Sequence, residues 1–124
     1  MKPQPKQQSL PQEVRLAVAA LADKKGENLK VLDLSQISDF TDHFIISTGV
    51  NRRQVQALSD EVLDRLREVK RKPLAVEGHE HGTWVLIDYG YFLVHIFDPE
   101  AREYYRLEGM WSDAADVTGE AVGS

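Results

Sequence analysis

There is no cysteine among the 124 residues of this chain. Its absence removes disulfides, thiolate zinc sites and cysteine nucleophiles together, and it suits a reducing compartment. Long apolar runs are missing too. Nothing approaches membrane-spanning length, and the start, Met1 to Gln8, is polar and interrupted by Pro3 and Pro5 where a secretion signal would carry an apolar segment. A cytoplasmic protein with no membrane contact is expected. Positive charge is short relative to negative: 15 Lys and Arg against 20 Asp and Glu leave a net charge of −5. Coating nucleic acid non-specifically takes a basic surface that displaces counterions, so the balance points to a protein partner before RNA.

Recognisable catalytic patterns are also wanting. The chain has no G-x-x-x-x-G-K-[ST] phosphate loop, no H-E-x-x-H and no serine in a nucleophile-elbow context. His79-Glu80-His81 alternates two imidazoles on one segment, but no third ligand lies near in sequence. A solvated, glycine-flanked loop is the expectation, and no metal is assigned. Asp33, Asp39 and Asp42 read as strand-end and turn carboxylates that bond nearby amides. Arg52 and Arg53, just inside a helix N-terminus, are either two solvated side chains or a contact for an RNA phosphate. No cofactor is implied.

What the chain does have is enough aliphatic residues for a single core, and its length is that of one domain. Ser9 to Lys24 reads as a helix, with Ser9 as N-cap, Pro11 in the first turn, and Val14, Ala17, Val18, Leu21 and Ala22 as its apolar stripe. Lys24-Lys25-Gly26 supplies the stop. A short strand follows over Leu29 to Leu34, then a polar loop over Ser35 to Asp42. His43 to Thr48 is too continuously apolar for a one-sided strand and is expected at the centre of a sheet. Asn51 caps a helix to about Lys70, on which Val55, Leu58, Val62, Leu66 and Val69 hold one face and Glu61 pairs with Arg65 on the wet side; Pro73 ends it. Leu74 to Glu77 adds a short strand. Asp98-Pro99-Glu100 supplies the N-cap and first position of a short closing helix that takes in Glu103 to Leu107, with a strand there as the alternative. Together these predict an α/β fold, a single domain with a mixed β-sheet flanked by helices. It runs over residues 9–113, between a disordered tail at 1–8 and a flexible tail of small and polar residues at 114–124.

The stretch from Glu77 to Trp111 is the most informative. Two apolar runs, Thr83 to Asp88 and Tyr91 to Phe97, flank Tyr89-Gly90, where glycine supplies the positive φ of a tight hairpin turn. Trp84, Leu86 and Asp88 fall on one face of the first strand, Val85 and Ile87 on the other. With the second face on the core, the first presents a tryptophan and a carboxylate outward, as a docking surface does. The alternative is that Trp84 is simply core.

Glu77-Gly78, Trp84 to Gly90, Val94 to Phe97, Arg102 to Glu108 and Trp111 stand in a recognisable order, preceded by Asp33, Ser38-Asp39-Phe40, Ile45 to Gly49 and Asn51 to Val55. In these motifs the chain resembles the ribosomal silencing factor family, also called Iojap-like, over most of its length. The resemblance implies a nucleotidyltransferase-like topology and a homodimeric binding protein, not an enzyme. It implies attachment to the large ribosomal subunit through ribosomal protein L-fourteen on the intersubunit face, blocking the small subunit and lowering translation when nutrients are short. A minor contact of Arg52 and Arg53 with ribosomal RNA is compatible with it. The residues expected to carry docking are Trp84, Asp88, Tyr89, Tyr104, Tyr105 and Glu108. Aromatics give contact area at modest entropy cost, and carboxylates meet the Lys and Arg of a basic ribosomal protein. Adjacent Tyr104 and Tyr105 cannot both point the same way, so one of them is structural. Two alternatives compete. A nucleotidyltransferase-like enzyme needs carboxylates for Mg²⁺ and a Gly-Ser turn for phosphates, where this chain has Thr48-Gly49-Val50-Asn51. An RNA-binding ribosome assembly adaptor needs a basic-aromatic stripe.

Overall fold

Six strands form one mixed sheet in the order β3-β4-β5-β2-β1-β6, with β1 at Glu27–Asp33, β2 at His43–Thr48, β3 at Ala75–Glu77, β4 at Trp84–Asp88, β5 at Phe92–Phe97 and β6 at Ala115–Asp116. Among the described residues five helices accompany them: α1 (Gln12–Asp23), α2 (Arg52–Glu68), α3 (Pro99–Tyr105), α4 (Leu107–Met110) and α5 (Thr118–Val122). This computed structural model describes residues 10–122, so the expected Ser9 cap and the 1–8 tail lie outside the described residues. β2 is buried at every position and takes the central place its composition required. It pairs parallel with β5, Phe44 beside Leu93, Ile46 beside His95 and Thr48 beside Phe97, while the other pairings are antiparallel.

Alternation along the strands gives the sheet two unequal faces. Val31, Ile45, Val85, Ile87, Val94 and Ile96 point to one side, where α1, α2 and α5 bury them under Val18, Leu21, Val55, Leu58 and Val62. Leu32, Phe44, Ile46 and Phe97 point to the other, which Leu107, Ala101 and Trp111 from the α3–α4 region cover together with Leu34, Phe40 and Ala114. Two long helices seal the first face. Two short ones leave part of the second open.

The local signals work largely as read. Asn51 Oδ1 accepts from Gln54 N–H at 2.9 Å, and Glu61 meets Arg65 at 2.8 Å, with Arg65 also reaching Asp23. Asp98 Oδ1 caps α3 through Ala101 N–H at 2.8 Å, with Pro99 opening the helix. The helix stops differ in detail. The left-handed residue after α1 is Lys25 (φ 65°), not Gly26, and α2 stops at Lys70 (φ 65°) before Pro73 is reached. Gly26 has another reason to be glycine: a Cβ there would lie 2.5 Å from Ser47 Oγ of the central strand.

Two expectations need correction. Residues 114–122, expected to belong to a flexible tail, are tied into the fold: β6 pairs with β1, Val117 N–H bonds Val31 O at 2.9 Å, and Ala121 of α5 is buried against α1. Small residues fit that narrow seam. The hairpin is the second case. Tyr89 N–H bonds Phe92 O at 3.0 Å, so the turn is Gly90-Tyr91, one residue later than expected, and Tyr89 directly follows the end of β4. By alternation it joins Val85 and Ile87. Its side chain is 0% exposed, stacked on Phe92, with Arg71 donating to its carbonyl, and burial raises its phenol to about 12. Tyr89 is a core residue and leaves the docking set.

Candidate protein-docking site

The open part of the second sheet face runs between two aromatic groups. On one side Trp84 packs on Phe97 at 5.0 Å and Tyr105 at 4.6 Å. On the other, Trp111 sits edge-on to Phe44 at 5.7 Å, with Phe40 of the β1–β2 loop 6.3 Å from Trp111 and 61% exposed. Half-buried Leu86 and Leu93 lie in the rows of the sheet between them. Exposed apolar patches of this kind, rimmed by polar groups, mark interaction sites. The rim here carries carboxylates: Asp88 on the same face as Trp84, Glu77 in register beside Leu86, and Asp39 next to Phe40.

α3 builds the near wall. Its Asp98 cap and Pro99 start hold the helix at the end of β5 so that Tyr105 turns onto Trp84 and Tyr104 turns away. Tyr105 is 46% exposed and Tyr104 79%, the latter touching Tyr105 edge-on at 4.9 Å. The pair divides as the chain geometry demanded, with Tyr105 the partly structural member. A depression of about 430 Å³ opens beside them, lined by Thr83, Asp98, Glu100, Ala101, Tyr104 and Tyr105. Two carboxylates and two phenol rings suit a cationic side chain, by charge and by cation–π attraction.

Trp84 is fixed from below by a buried histidine. Its Nε1–H donates to His95 Nδ1 at 3.2 Å, which places the imidazole proton on Nε2, an atom with no partner among the described residues. Desolvation lowers the His95 pKa to about 4, so the ring is neutral near neutral pH and remains an acceptor. Asp88 spends one oxygen on Gly90 N–H at 2.8 Å. Glu108 is already paired: both its oxygens accept from Arg102 Nε at 3.2 and 3.0 Å, and Arg102 also reaches Thr48 Oγ1 at 2.7 Å. Its visible work is to lock α3 to α4 and to the end of β2.

Comparison with known proteins supplies the family. The family model described as ribosomal silencing factor during starvation matches residues 7–123. The chain belongs to the ribosomal silencing factor family. Among its relatives, ribosomal silencing factor RsfS of Chromobacterium violaceum is 41% identical over 97 residues, 78% of this chain and 80% of that protein. The Bacillus subtilis protein of the same name is 39% identical, with 82% and 86% of the two chains covered. A crystal structure of a Chromobacterium violaceum protein superposes with a TM-score of 0.79 at 39% identity, covering 84% of this chain and 88% of the other.

Within this silencing-factor fold the turn that a nucleotide would need is occupied by the protein itself. Gly49 N–H donates to Phe97 O at 2.9 Å, Val50 N–H to Gln54 Oε1 at 2.6 Å and Gln54 N–H to Asn51 Oδ1, and a Cβ on Gly49 would lie 2.8 Å from Val55 N. Asp33 accepts from both the amide and hydroxyl of Ser35. The His79–His81 loop faces solvent as expected, but it is anchored. Gln56 bonds the carbonyls of His79 and Glu80, Arg52 Nε bonds His81 O at 3.0 Å, and His79 Nε2 meets Asp60 at 2.9 Å, so the loop is strapped to α2. Among the described residues no helix is long and apolar enough to cross a membrane. Phe40, Leu86, Leu93 and Trp111 are the face residues that sequence reasoning had not nominated. Leu86 was visible in the alternation with Trp84; Phe40 and Trp111 meet only in three dimensions.

Proposed function

We propose that this protein silences ribosomes by occupancy: its open sheet face docks on the large ribosomal subunit, at ribosomal protein L-fourteen, and excludes the small subunit by volume, lowering translation in nutrient shortage. Trp84, Tyr105, Tyr104 and Asp88 are the docking residues, joined by Leu86, Leu93, Phe40 and Trp111. The observation that carries the reading is the half-covered face itself, aromatic at its centre and acidic at its rim, in a chain of the silencing-factor family. A basic ribosomal protein is complementary to such a face in both shape class and charge. No chemistry is required. Inhibition follows mass action on free large subunits, in the cytoplasm. Arg53, exposed at the start of α2, is the residue available for a minor contact with ribosomal RNA, since Arg52 is held by the His81 carbonyl. The enzyme reading is disfavoured because the amides of the candidate phosphate turn already serve protein acceptors.

Co-sedimentation with separated ribosomal subunits tests this. The chain is expected to travel with the large subunit and not the small one. Equal association with both, or none with either, contradicts the proposal.

A further inference from the structure

A cavity of about 460 Å³ opens where β2 ends, lined by Glu27, Asn28, Thr48, Arg102, Glu103 and Arg106 among others. Its place in the topology is one that favours ligands. The chain leaves β2 through α2, which packs on the first sheet face, and leaves the neighbouring parallel strand β5 through α3 and α4, on the second. In open α/β sheets ligands sit outside the carboxyl ends of the strands, at such a divergence. The volume also lies within the roughly 300–1,000 Å³ of small-molecule sites.

The walls are built around one nearly buried charge. The Arg102 side chain is 10% exposed; its Nε donates to Glu108 and its Nη1 to Thr48 Oγ1, and its Nη2 has no partner among the described residues. Beside it β1 breaks its ladder: Glu27 pairs with Thr48, the register then shifts before Lys30, and Asn28 stands left-handed at φ 51°. Irregularities of this kind re-aim side chains next to sites, and both Glu27 and Asn28 line the cavity. Arg102 and Glu108 cancel in charge. The side chains of Glu27, Glu103 and Arg106 have no ion-pair partner among the described residues, so two carboxylates and one guanidinium give the opening one negative charge in excess.

We propose that this cavity binds a small zwitterion with a basic side chain, an α-amino acid of the lysine type. Its carboxylate meets Arg102 Nη2 and Arg106, its two ammonium groups meet Glu27 and Glu103, and its single excess positive charge balances the lining. A nucleoside triphosphate fits neither requirement. The lining repels it, and the nearby amides of Gly49 and Val50 are already bonded within the protein. The binding does not depend on the ribosome reading.

Titration calorimetry of the full chain with L-lysine tests the assignment. One saturable site per chain is expected, with a Kd of about 1 mM or tighter. L-glutamate, of the wrong net charge, and cadaverine, which lacks the carboxylate, should each bind at least about tenfold more weakly. Glu27→Gln and Arg106→Asn change exposed positions, and Asn tolerates the left-handed backbone of residue 106. Each should weaken lysine by about tenfold, the worth of one charge-assisted hydrogen bond, with an unchanged thermal unfolding curve. No saturation by about 10 mM lysine, cadaverine or glutamate binding as tightly as lysine, or two folded variants that bind as the unmodified chain does would overturn the proposal.

Discussion

Trp84→Ala separates packing from docking in one variant. The indole is half-buried, 4.6 Å from Tyr105 and 5.0 Å from Phe97, and it donates to His95 at 3.2 Å. Truncating a fully buried tryptophan costs about 3–5 kcal/mol. With roughly half that contact and a vacated space open to water, the expected loss of folding stability is about 2 kcal/mol. A domain with about 5–15 kcal/mol in hand stays folded. As a docking anchor, the same residue should weaken large-subunit binding by about 2 kcal/mol or more, roughly thirtyfold. Trp84→Phe removes the N–H together with the smaller ring of the indole, so its cost, about 1 kcal/mol or more, sets an upper bound on the hydrogen bond to His95. Urea unfolding followed by circular dichroism measures the first quantity and a co-sedimentation titration the second. A stability loss of about 4 kcal/mol or more would make Trp84 a core residue. Full binding by the folded alanine variant would remove it from the docking face.

Acid should weaken the fold before its carboxylates protonate. His95 is held neutral to about pH 4 by burial, whereas the unfolded chain protonates it near 6.5, so its contribution is complete above 6.5 and drains away as pH falls toward 4. Each unit in that window removes up to about 1.4 kcal/mol; urea midpoints between pH 7 and 5 measure the slope, which His95→Gln should flatten, and an unchanged slope would count against the buried neutral ring. His43 shifts in the same direction through desolvation, opposed by Asp33 and Asp42. Gly78 and Gly90 both have positive φ, 83° and 93°, but a Cβ on Gly78 would lie 2.1 Å from the Trp84 carbonyl while one on Gly90 meets only Leu74 at 3.4 Å. Gly90→Ala should cost about 1–2 kcal/mol and Gly78→Ala clearly more, measured as unfolding midpoints; equal costs would refute the close-approach argument.

Much of the fold was legible because the signals are local. Strand β2 announced itself by unbroken apolarity, α2 by its stripe and Asn51, and α3 by Asp98-Pro99. What escaped depends on partners distant in sequence. Ala115 and Ala121 look like tail residues until β1 and α1 are beside them. The placement of Tyr89 in the core was in fact readable, since strict alternation puts it with Val85 and Ile87; assuming the turn began at Tyr89 hid it. The docking face was half-readable for the same reason. Trp84, Leu86 and Asp88 share a strand face, whereas Phe40, Leu93 and Trp111 reach that face from three separate segments. Glu108 had an evident charge, but nothing in its neighbourhood revealed that Arg102 would claim it.

The most direct test of silencing by occupancy is a reassociation assay: purified subunits are mixed in the presence of excess protein and resolved on sucrose gradients. The unmodified chain should leave large subunits unjoined, and a variant carrying Leu86→Lys and Tyr104→Ala, changes at half-buried and exposed positions of the docking face, should let paired ribosomes form. Unimpeded joining with the unmodified chain, or equal inhibition by the folded variant, would contradict it.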